Sequence, residues 1–205
     1  MKTVAIVDYG MGNVDSVARA VEECRCTATI TGDPKALAAV DAIILPGVGA
    51  FGDGMEHLRS RGLEPLLGEL VLERRLPFIG LCLGMQMLAT CGDEGGDSAG
   101  LGWIPGAVRR LTPRDESDRV PHIGWNQVEI ERDSPLVAGL PNGTDFYFAH
   151  SFFFDVTQDD VIVGRTEYCG GFPSVVARDN IFGVQFHPEK SQRAGLQLLR
   201  NFLAL

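Results

Sequence analysis

Ten residues constrain this chain more than any others: Pro77-Phe78-Ile79-Gly80-Leu81-Cys82-Leu83-Gly84-Met85-Gln86. An apolar run leads in, a glycine sits two positions before the cysteine and another two positions after it, and helix-forming residues follow. That is the layout of a nucleophile elbow, a sharp strand-to-helix turn that requires glycine wherever a side chain would strike the neighbouring backbone. The pattern predicts a strand over 77–81, a helix over 82–90, and Cys82 projecting above a sheet edge at the helix N-terminus. Unpaired amides and the positive end of the helix dipole favour a thiolate there. A thiolate nucleophile needs an imidazole within reach and amides to hold an oxyanion, so the rest of the chain must supply both.

The 205 residues, 45% hydrophobic and 22% charged, suit one domain over 1–205 with a substantial core. The net charge of -9 argues against a nucleic-acid-binding surface. Five cysteines, at 24, 26, 82, 91 and 169, form no CxxC pair, so neither a zinc site nor a disulfide framework is indicated. Free thiols fit a reducing cytoplasm. The N-terminus carries one lysine and a short apolar stretch ending at Asp8, which reads as a strand rather than a leader. The apolar run from Leu76 to Ala89 is broken by Pro77, Gly80, Gly84 and Gln86 and falls short of the ~20 residues of a membrane helix.

Taken in order, 3–8 reads as a strand buried on both faces. The turn Tyr9-Gly10-Met11-Gly12-Asn13 follows, with Asn13 or Ser16 placed to cap a helix through about Cys24. The third glycine of a dinucleotide-binding loop is missing, since Asp15 stands there. Strands are predicted over 28–31 and 42–45, with a short helix opened by Asp33-Pro34 between them. Pro46 to Gly54 is glycine-dense, a loop that reads either as a plain crossover or as backbone amides approaching a ligand. Helices over 55–61 and 63–75 precede the elbow. Alternating strands and helices argue for a doubly wound parallel sheet with ligands at the carboxyl ends of its strands. The acidic, glycine-rich 91–100 reads as a surface loop without a role. Thereafter β-rich runs at 106–111, 120–130, 145–154, 160–167, 173–178 and 181–186 are separated by turns, with hairpins at Gly170-Gly171 and Asp179-Asn180. These runs predict antiparallel additions to the sheet. A last helix over 191–203 buries Leu196, Leu199 and Phe202.

The imidazole is sought at Phe186-His187-Pro188-Glu189. Residues two apart on an extended chain face one way, and Pro188 holds its predecessor extended. Glu189 is then placed to accept from one nitrogen of His187 while the other faces a thiol, the orienting role of a triad's third member. His57 reads as solvated on a polar helix; His122 and His150 read as packed or near the site.

At this point the residues resemble the class I, triad-type glutamine amidotransferases. Gly80-Leu81-Cys82-Leu83-Gly84-Met85-Gln86 and Gly183-Val184-Gln185-Phe186-His187-Pro188-Glu189 are similar to that family's two signature segments. Pro121-His122-Ile123-Gly124-Trp125-Asn126 and His187-Pro188-Glu189-Lys190-Ser191 are similar, within the family, to subunits that feed ammonia to a cyclase in histidine biosynthesis.

The resemblance implies an α/β, flavodoxin-like, mostly parallel sheet with antiparallel members in the second half. It implies Cys82 as nucleophile, His187 as base and then acid, and Glu189 as orienter. Val48 and Leu83 would give amides to the oxyanion, and Gly49, Gln86, Ser151 and Phe152 would hold the ends of glutamine. It implies no cofactor or metal, a heterodimer with a (β/α)8-barrel cyclase, and a partner face including Asn13, Trp125, Tyr147 and Lys190. Neither nucleic acid nor membrane is expected as a partner. Other readings are a glutaminase subunit serving another synthase and a non-catalytic glutamine-binding protein. Phe152 stands where family members often have tyrosine.

Overall fold

The computed structural model describes residues 2–116 and 118–205. In the first half, β1 (Thr3–Val7), β2 (Thr27–Thr31), β3 (Ala42–Leu45) and β4 (Phe78–Leu81) alternate with α1 (Val14–Glu23), α2 (Pro34–Leu37), α3 (Phe51–Ser60) and α4 (Leu63–Gly68). The strands are continuous apolar runs because both their faces are covered. Val4 and Ile6 point into one core with Val17 and Val21 of α1. Ala5 and Val7 point into the other with Leu58 and Leu67 of α3 and α4.

Beyond β4 come α5 (Leu83–Gln86), β5 (Cys91–Gly92), β6 (Ser98–Ala99), β7 (Gly106–Arg110), β8 (His122–Ile130), β9 (Thr144–His150), β10 (Phe152–Val156), β11 (Ile162–Thr166), β12 (Phe172–Arg178), β13 (Ile181–Val184) and α6 (Gln192–Leu203). One nine-stranded sheet runs β2-β1-β3-β4-β13-β12-β11-β8-β9. Its β2 to β13 half is parallel and the remainder antiparallel. This is the doubly wound order expected, with antiparallel strands added at one edge. A second sheet, β10-β7-β5-β6, lays Val108, Phe154 and Val156 onto the core that also holds Phe78.

Several boundaries differ from the sequence expectations. α3 begins at Phe51 rather than 55, because Phe51 is fully buried and its amide donates to Glu94 Oε2 at 2.9 Å. The 63–75 helix changes to π winding over Glu69–Glu73. The helix after Cys82 ends at Gln86 instead of 90: the next amides turn tightly, Leu88 N to Met85 O and Ala89 N to Gln86 O. The 91–100 loop contains two short strands. The run 145–154 is two strands in two sheets, changing over at Ser151. Strand β13 stops at Val184, and Pro188–Lys190 is a 3-10 turn, not extended chain. In α6 the fully buried leucines are Leu198 and Leu199 rather than Leu196, each contributing roughly 1.5–3 kcal/mol by burial.

Candidate active site

Cys82 sits between β4 and α5 with φ 52° and ψ −108°, a backbone state costing roughly 1–3 kcal/mol for a residue with a Cβ. Its amide donates to Val184 O at 2.8 Å, which ties the elbow to β13. The flanking glycines are sterically required. A Cβ on Gly84 would collide with the Leu45 carbonyl oxygen of β3, and one on Gly80 with the Gly84 carbonyl. Because α5 has only four residues, its dipole is small. What the turn offers is local: the amides of Leu83 and Gly84 have no intrahelical acceptor, whereas Met85 N and Gln86 N donate to Cys82 O.

His187 is buried and carries two polar neighbours. Glu189 Oε1 lies 2.9 Å from Nδ1, and Cys82 lies near enough to the ring to act on its charge. Burial alone pushes a histidine toward neutrality. The hydrogen bonds and charges of Cys82 and Glu189 outweigh it and raise His187 to about 10. The turn 188–190, rather than strand alternation, folds Glu189 back onto the ring. Ser191 holds that turn, its hydroxyl donating to His187 O at 2.7 Å and accepting from Tyr147 N at 3.0 Å.

A cleft of about 420 Å³ opens on the other side of Cys82. Val48 and Leu83, named for the oxyanion, line it, as do Gly49, Gln86, Ser151 and Phe152, named for glutamine. Gln86 Nε2 donates to Phe152 O at 2.8 Å and to Gln185 Oε1 at 3.1 Å, leaving its Oε1 to accept from a ligand. Gly47 lies against the buried hydroxyl of Tyr9, where a Cβ would collide, and Gly49 holds φ +107°. Of the expected partner-face residues, Trp125 and Tyr147 are paired across β8 and β9, and Lys190 Nζ stands 5.8 Å over the Tyr147 ring. Asn13 lines a narrow void together with His187 and Glu189.

The sequence reading missed three residues here. Glu94 lines the cleft; burial, with Asp53 and Asp93 adding, raises its carboxyl pKa despite the bond from Phe51 N. Gln185 donates to Cys82 Sγ at 3.6 Å. Its position two before His187 was the available signal; Glu94 carried none. Tyr9 was read only as part of a turn, yet its hydroxyl is buried without a partner among the described residues. His57, read as solvated, is half-buried with Nδ1 3.1 Å from Tyr9 O. His150 lines the cleft and contacts buried His122.

The arrangement can attack an amide or ester carbonyl, hold an oxyanion and deliver a proton to the leaving group. The family described as Glutamine amidotransferase class-I matches residues 5–205. The imidazole glycerol phosphate synthase subunit HisH of Moorella thermoacetica is 47% identical, with 98% of this chain and 94% of that protein covered. The subunit HisH 2 of Nitrobacter winogradskyi is 46% identical over 99% of this chain and 98% of its own. A solved structure of PurLQS from Thermotoga maritima aligns over 100% of this chain and 99% of that one, with TM-score 0.78 and 22% identity, a likeness of fold.

Proposed function

The chain belongs to the glutamine amidotransferase class-I family, and from that premise we propose that it is the glutaminase subunit of an imidazole glycerol phosphate synthase, supplying ammonia to a cyclase. The observation that carries the chemistry is one buried imidazole held by Glu189 at 2.9 Å and perturbed by Cys82.

In this reading Cys82 Sγ attacks the carboxamide carbon of glutamine. The carbonyl π pair moves to oxygen, and the oxyanion faces the amides of Leu83 and Val48. The tetrahedral intermediate collapses as the C–N bond breaks, with the His187 proton going to the departing nitrogen, so ammonia leaves and a γ-glutamyl thioester remains. Water then attacks the thioester carbon, His187 takes its proton, and the C–S bond breaks to give glutamate. Glu189 keeps the ring oriented throughout. Loss of one oxyanion amide costs roughly 2.7–4 kcal/mol of barrier.

Glutamine's α-ammonium fits the Glu94 carboxylate and Gln86 Oε1. Its carboxylate fits the Ser151–Phe152 turn, where Phe152 acts through its main chain and the missing phenol hydroxyl matters little. The positive φ at Gly49 and the absence of a side chain at Gly47 suit a loop whose Val48 amide turns toward the oxyanion when the partner is loaded.

At the cleft mouth Ile123 is 64% exposed and Val48 46%, and Trp125, two residues along β8 from Ile123, is 49% exposed. This apolar rim supports a docked partner, in our reading a (β/α)8-barrel cyclase with Trp125, Tyr147, Lys190 and Asn13 at the seam. We read the chain as one domain working in the cytoplasm, with neither nucleic acid nor membrane as partner. No helix among the described residues is long and apolar enough to cross a membrane.

The test is glutamine hydrolysis by the chain alone, then with the barrel cyclase and its nucleotide ligand. Stimulation by the loaded cyclase, abolished by Cys82→Ala, is expected. Stimulation only by a different synthase would remove the pathway assignment, and hydrolysis surviving Cys82→Ala would remove the mechanism.

A further inference from the structure

The mechanism leaves two buried histidines unused, and their hydrogen bonds can be given a direction. Gln127 N donates to Asn126 Oδ1 at 2.8 Å. A backbone N–H cannot accept, so the amide orientation of Asn126 is fixed and its Nδ2 faces His122 Nε2 as donor, at 3.3 Å. His122 Nε2 is therefore the acceptor nitrogen, and the ring's proton sits on Nδ1. That nitrogen lies 3.1 Å from His150 Nε2, which must accept, placing the second proton on His150 Nδ1. His150 Nδ1 lies 2.8 Å from Phe152 O, which can only accept. One backbone donor and one backbone acceptor thus set every link between them.

We propose that Asn126, His122 and His150 form a one-way hydrogen-bond relay that fixes the Ser151–Phe152 turn, making all three positioning residues for glutamine. The relay deepens the glutaminase reading and rests on it. It begins on β8, the strand that exposes Ile123 and Trp125, and ends at the point where the chain leaves one sheet for the other. Phe152 O also accepts from Gln86, so the same carbonyl anchors the turn to the elbow. Aromatic rings flank the relay: Tyr168 stacks on His122 at 3.9 Å between centroids and Phe148 at 4.8 Å, and the Tyr168 hydroxyl is engaged with the Arg119 backbone. Only the neutral form of both rings keeps every link, since an imidazolium has no acceptor nitrogen. Burial holds both rings in that form.

The readout that separates positioning from packing is the tautomer. In two-bond 1H–15N spectra of the full chain labelled on its four histidines, His122 and His150 are both expected as neutral Nδ1–H rings at pH 7. Asn126→Asp keeps the side chain's shape but removes the donor. His122 must then turn its proton to Nε2, and His150 is left with an Nε2 proton or a full charge. The signature is a change at His150, two links from the substitution. In the synthase the same variant is expected to raise the glutamine KM about fivefold, as losing one hydrogen bond implies, with kcat within about twofold. An Nε2–H tautomer in the unmodified chain, a His150 signal indifferent to Asn126→Asp, or an unchanged KM would each overturn the relay. None of these results touches the glutaminase reading, which stands or falls separately on Cys82→Ala.

Discussion

His187 and His150 are buried to nearly the same extent, 5% and 6% exposed, and end up at opposite limits of charge. Desolvation opposes the imidazolium in both. At His150 only the Phe152 carbonyl works against it, while His122 and His187 add repulsion, and the ring falls to about 3. At His187 a carboxylate and a sulfur reverse the sign, and the ring rises to about 10. One neighbourhood therefore stores a proton and the other fixes a direction. The lesson is that burial sets how much the partners matter, and the partners decide which species survives.

The largest expected effect comes from exchanging these roles. His187→Asn removes the group that carries the proton, and glutamine hydrolysis in the synthase should fall by roughly 10⁴-fold or more, as for other units of a nucleophile–base pair. His122→Phe keeps the aromatic stack and breaks only the relay, so the KM for glutamine should rise while kcat stays within about threefold. Equal losses of kcat in steady-state assays of the two variants would erase the distinction.

Next in size is Glu189→Gln. In the proposed triad the Glu189 carboxylate stabilises the imidazolium, and its loss should lower kcat by roughly 10²–10⁴-fold. The pH profile sharpens this. In the proposed mechanism the protonated ring hands its proton to the departing nitrogen, so activity is lost as pH rises through the value of His187, about 10. Without Glu189 the imidazolium is less stable, and the alkaline limb of kcat/KM should move to lower pH. A limb that stays in place would mean that Cys82 alone sets the charge.

The two histidine environments were not equally legible in the sequence. The elbow was readable because Gly80 and Gly84 bracket Cys82 at a spacing that only a tight strand-to-helix crossing requires. The first-half sheet was readable because runs such as Val4–Val7 and Ala42–Leu45 are apolar without interruption. His187-Pro188-Glu189 pointed to the right neighbours by the wrong geometry, since a 3-10 turn makes the contact in place of strand alternation. The relay was hidden because it depends on β9 ending at His150 and β10 beginning at Phe152 in a different sheet. Nothing in the unbroken run Phe146–Phe154 marks Ser151 as the crossing. Glu94 was hidden for another reason: an acidic glycine-rich loop looks solvated until Phe51 N is found against it.

A third expectation uses folding stability, where the two environments should pull in opposite directions. His187 is raised from 6.5, so its charged contacts stabilise the fold fully below pH 6.5 and are lost as pH rises through about 10. His122 and His150 are lowered from 6.5 to about 4 and about 3. Their neutral form supports the fold above pH 6.5, and that support is lost as pH falls toward those values. Denaturant titrations across pH should therefore show His122→Phe combined with His150→Phe flattening the acid limb alone, and Glu189→Gln flattening the alkaline limb alone. Identical changes in both limbs from either variant would mean that the two sites titrate as one.

The smallest effect is expected where His187 is held by its backbone rather than its ring. Ser191 Oγ links His187 O to Tyr147 N and is 1% exposed. Ser191→Ala leaves both backbone groups without that partner, at a cost of roughly 1–3 kcal/mol in stability. The Glu189 contact, made by side chains within the 3-10 turn, persists, so the alkaline limb of the pH profile should stay near its original position and kcat should fall less than about tenfold. A shift of that limb comparable to the one from Glu189→Gln would show that the backbone clamp, and not the carboxylate, places the imidazole. The contrast with His150 would then be one of backbone placement, with partner chemistry following from it.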